Sequence, residues 1–138
     1  MGHESLIAGL NYIQEIIKRM AANSLFVKGW SISLTTIAIA LVKKDYASHN
    51  LLLLGIALLI FNFLFSLLDC FYLKQERIFR NEYNKKVLKI TDEGIKENLT
   101  IISTKKTKIS FCDVYFSISI IPFYLVTMFL GFLLPIWR

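Results

Sequence analysis

Apolar residues along this chain fall into three blocks, at 25–42, 51–68 and 114–137, instead of being spread through it. Uninterrupted apolar stretches of this length predict membrane-spanning helices. The second block, LLLLGIALLIFNFLFSLL, holds no charged residue. The charge-free part of the first, 29–42, is short of the ~20 residues a bilayer requires. Lys28 lengthens it by carrying its ammonium to the headgroups, and Trp30 suits the same interface. The third block contains Pro122, Gly131 and Pro135. A kink at Pro122 and a helix end at Pro135 are expected, because proline removes a backbone donor. A buried or re-entrant helix is the alternative for this third block.

The polar stretches between the blocks carry their own periodicity. Leu6, Leu10, Ile13, Ile17 and Met20 recur at helical spacing, with polar residues on the other faces. That pattern predicts an amphipathic helix over 1–24, lying on the membrane or against another helix. Residues 69–87 contain no glycine or proline, and Tyr72, Phe79, Tyr83 and Val87 share one face. The second span should therefore continue past its apolar end as one long helix. Further on, Asp92-Glu93-Gly94 reads as a turn, and 99–103 and 107–110 have strand character. The expected architecture is an all-α membrane protein: an N-terminal amphipathic helix (1–24), a transmembrane hairpin (25–68), a basic cytoplasmic segment (69–113) and a third transmembrane helix (114–138).

Composition agrees with this class. Only 19% of the 138 residues are charged, against roughly 25% in soluble domains. Mean hydropathy is +0.54. A net charge of +6 would point to nucleic acid in a soluble protein. Here the basic residues cluster before the first span (Lys18, Arg19, Lys28) and between the second and third, with only Lys43, Lys44 and Arg138 opposite. The positive-inside rule then places the N-terminus and 69–113 in the cytoplasm, and the 43–50 loop and the C-terminus outside. No nucleic-acid partner is expected. Cys70 and Cys112 have no histidine near them, so no zinc site is expected, and no cofactor. No phosphate loop, serine-hydrolase elbow or zinc-protease motif is present, and the protein does not read as an enzyme.

The informative pattern lies inside the second span. Gly55, Asn62, Ser66 and Asp69 fall on one helical stripe. Ser31 and Thr35 in the first span, and Ser117, Tyr124, Thr127 and Gly131 in the third, make similar stripes. Polar groups in a span face protein or water, because lipid cannot satisfy them. Two readings follow: helix packing through small residues and side-chain hydrogen bonds, or a self-associating channel lined by Asn62 and Ser66 with Asp69 at its cytoplasmic mouth. Just beyond, Arg77, Arg80, Lys85 and Lys86 are candidates for contact with lipid headgroups, an anionic ligand or a partner protein.

The run Asn23-Ser24-Leu25-Phe26-Val27-Lys28-Gly29-Trp30, with Asp69-x-x-Tyr72-Leu73-x-x-Glu76-Arg77-x-x-Arg80 after the second span, resembles small bacterial membrane proteins that accompany nucleotide-signalling antiphage genes. The resemblance covers about residues 13–83. It implies a homo-oligomeric effector that perturbs the inner membrane when a cytoplasmic protein partner or a nucleotide signal arrives. No large soluble sensor domain is seen in the sequence, which favours control by a partner protein. The other functional class is a non-conducting membrane anchor that assembles a cytoplasmic partner.

Overall fold

The computed structural model describes residues 2–42, 48–88 and 109–133. The turn and most of the strand-like runs expected over 88–110 lie outside them. The described residues form helices and contain no strand. Helix α1 runs Gly2–Leu41 and α2 runs Ser48–Leu88, 40 and 41 residues long. At 1.5 Å per residue each is roughly 60 Å, about twice the thickness of a hydrocarbon core. A five-residue α3 (Phe111–Tyr115) and a 13-residue α4 (Ile121–Leu133) follow.

The N-terminal amphipathic helix is not a separate element. No proline interrupts 2–41, so the helix passes through residue 24 into the first span. Its apolar stripe runs on in the same register as the buried positions Ile13, Ser24, Val27, Ser31, Thr35 and Ala38. The expected continuation of the second span as one helix is what α2 does, reaching Leu88.

α1 and α2 pack antiparallel along most of their length. Gln14 Nε2 donates to Tyr83 Oη at 2.7 Å near the N-terminal end of α1, and Ser31 meets Asn62 further along. Ala38 and Leu58 share a small core with Val42 and Leu54 near the turn of the hairpin. α4 lies alongside α2, with Tyr124 Oη donating to Phe65 O at 3.3 Å and Gly131 against Leu58. Its buried residues Tyr124, Thr127 and Gly131 are spaced three and four apart, the seam of a helix packed on one side.

The third block is not one uninterrupted helix. It begins as α3, passes through a turned segment at 116–120 and resumes as α4. Pro122 explains the position of the break. It has no N–H to offer the Ile118 carbonyl, and its ring crowds that carbonyl, so the helix restarts with proline in its first turn. Among the described residues, then, two helices are long and apolar enough to cross a membrane; α4 is apolar but short there.

Polar residues share the buried interior with apolar ones such as Val27, Leu58 and Ile78, while many large apolar residues lie outside. Ser24, Ser31, Thr35, Asn62, Ser66, Asp69 and Thr127 are buried, while Leu25, Phe26, Ile37, Leu53, Phe61 and Phe129 are exposed. Water would penalise so continuous an apolar exterior. Lipid accepts it and drives polar groups inward.

A polar ladder between the helices

The buried polar groups meet one another. Asp69 on α2 is wholly buried. The Lys28 ammonium lies 2.6 Å from its Oδ2, and Ser24 donates to its Oδ1. Lys28 also donates to Ser24 Oγ at 3.1 Å, so the three side chains close on themselves. Ser24 and Lys28 are one turn apart on α1, which brings both to one carboxylate. An ion pair withdrawn from water needs such further partners to offset its desolvation.

About two turns along, Asn62 forms the second rung. Ser31 Oγ donates to Asn62 Oδ1 at 2.5 Å, and Asn62 Nδ2 donates to Thr35 Oγ1 at 3.3 Å and to Leu58 O at 3.0 Å. Thr35 returns its own proton to Ser31 O at 2.8 Å. Between the rungs Ser66 donates to Phe63 O at 2.7 Å and shares a 3.1 Å bond with Tyr115 Oη of α3. Beyond Asn62, toward the hairpin turn, the interface becomes apolar at Ala38, Leu58 and Leu54.

The structure thus brings together Gly55, Asn62, Ser66 and Asp69 on the buried side of α2. Asn62, Ser66 and Asp69 find partners within the same chain. The basic candidates do not gather into one site. Arg80 pairs with Glu76 at 2.5 Å and Lys85 with Glu82 at 3.0 Å, while Arg77 and Lys86 are half-buried along the same extension. Sequence reasoning missed Ser24 and Tyr115, and treated Lys28 as a headgroup anchor only. The signal for Lys28 was present. In an antiparallel hairpin the two helices run side by side, so an unpaired carboxylate at the end of one span invites a search for a cation at the matching end of the other.

Asn62→Leu should weaken the α1–α2 contact by about 0.5–2 kcal/mol, the range for interhelical hydrogen bonds in membranes. Ser31→Ala made on top of it should add little, because its partner is already gone. A double-mutant cycle from unfolding in detergent checks this; fully additive losses would mean that the two side chains are not coupled.

Comparison of the chain with protein-family models, with curated proteins and with solved structures yields no match to any of them.

Proposed function

We propose that this protein is a bacterial inner-membrane effector of antiphage defence, closed as a single chain and made leaky when chains assemble under a trigger. Three spans serve this role: the apolar parts of α1 and α2, and the segment from Ile121 onward. Tyr124 lies beside Phe65 and Gly131 beside Leu58, so α4 advances along α2 toward the hairpin turn. The N-terminus and the α1–α2 extension face the cytoplasm, as the basic residues dictate.

The observation that carries the reading is the Lys28–Asp69 pair. An ion pair withdrawn from water at the edge of a membrane is expensive, and it suits the mouth of an ion pathway or a switch. The rung at Asn62 continues the polar track inward. The apolar contact of Ala38 with Leu58 closes the track before it reaches the far side. Opening would require that contact to part, and assembly of several chains supplies a way to exchange it.

The closed seam also favours a second reading, a non-conducting anchor whose extension holds a cytoplasmic partner. Ion flux separates the two. Protein reconstituted in liposomes with its triggering partner should release a trapped cation. Absence of flux in the complete system would leave the anchoring role.

A further inference from the structure

We infer that α3 and the turn following it form an interfacial anchor, seating Phe116 and Ile118 in the headgroup–acyl boundary of the leaflet that borders the Lys28–Asp69 pair. The inference rests on the membrane reading above and adds a specific lipid-contacting site to it.

The segment is held firmly on its inner side. Val114 and Ile120 are buried in a cluster with Cys70 and Tyr124. Tyr115 bonds Ser66, and the Lys74 ammonium stands 5.9 Å over the Phe111 ring. On its outer side the same segment presents Ile118 at 92% exposure and Phe116 at 71%. Two large apolar side chains on a pinned scaffold gain nothing from water, and lipid would cover them.

Depth follows from two observations. Residues 116–120 are not helical, and irregular backbone facing lipid does not occur within the hydrocarbon. The segment also sits where α2 passes from its uncharged stretch to its charged one, since Cys70 and Ser66 both contact it. Interfacial apolar side chains reach roughly 5–10 Å into the headgroup–acyl boundary. Lys74 beside Phe111 adds a cation for anionic headgroups.

The test places a nitrobenzoxadiazole probe on Ile118→Cys in a Cys112→Ser background, where buried Cys70 is shielded from label. A matched Phe61→Cys probe reports the middle of the α2 span. Both proteins are reconstituted in phosphatidylcholine–phosphatidylglycerol vesicles carrying nitroxide lipid, labelled either near the headgroup or deep in the acyl chain. The anchor predicts a blue-shifted probe at 118, quenched more by shallow than by deep nitroxide, with the reverse order at 61. A water-like, unquenched probe at 118 with a deeply quenched probe at 61 overturns the anchor and leaves the membrane reading intact. Blue-shifted emission at 118 that neither lipid quenches would identify a protein contact instead, and overturns it as well. Water-like emission at both positions would overturn the membrane reading along with the anchor.

Discussion

Replacing Lys28 with methionine should destabilise the folded chain by about 3–5 kcal/mol, the range for removing one partner of a buried ion pair. The large effect comes from what remains. Asp69 is wholly buried, and without the ammonium its charge is left with the Ser24 hydroxyl. Asp69→Asn should be milder. The amide keeps an acceptor for Ser24, and Lys28, still 16% exposed, has a long stem with which to carry its ammonium toward the headgroups. Combining Lys28→Met with Asp69→Asn should recover much of the loss, because neither charge is then buried alone. Denaturant or thermal unfolding in a mild detergent measures all three. A Lys28→Met protein as stable as the parent would show that the pair does not hold the helices together. In the effector reading the same variant has a functional signature: a weakened α1–α2 contact should leak ions without the trigger.

Much of this arrangement could be read from the sequence, and the parts that could not share a cause. The apolar blocks and the unbroken run 69–87 reported local preference, and local preference decides where long helices form. The polar stripe on α2 was legible for the same reason. Its partners were not, since which face meets which depends on how the hairpin folds back. The stripe was compatible with contacts between copies, whereas the structure spends Asn62, Ser66 and Asp69 on contacts within one chain. Helix α1 runs on through residue 24 for another reason. Composition changes there from amphipathic to apolar, yet nothing in 20–29 breaks a helix, and Gly29 has open space around it. A change of solvent along a helix need not be a change of element.

Helix α4 depends on contacts the apolar pattern could not specify, and Gly131 tests them. A Cβ built there would stand 3.5 Å from Leu58 Cβ, an ordinary contact distance. Gly131→Ala should therefore be tolerated, with stability close to the parent. Gly131→Leu should not, because its branches must enter the space Leu58 already fills. Overpacking of this kind costs about 1–3 kcal/mol. The strain has a direction: pushing α4 off α2 at Leu58 also lengthens the Tyr124–Phe65 bond two turns away, already 3.3 Å. The Leu variant should unfold at lower temperature in detergent and expose the α3 region to protease, while the Ala variant does neither. If both behave as the parent, α4 is not held by close approach at Gly131, and its position beside α2 has to come from the Val114–Ile120–Tyr124 cluster alone.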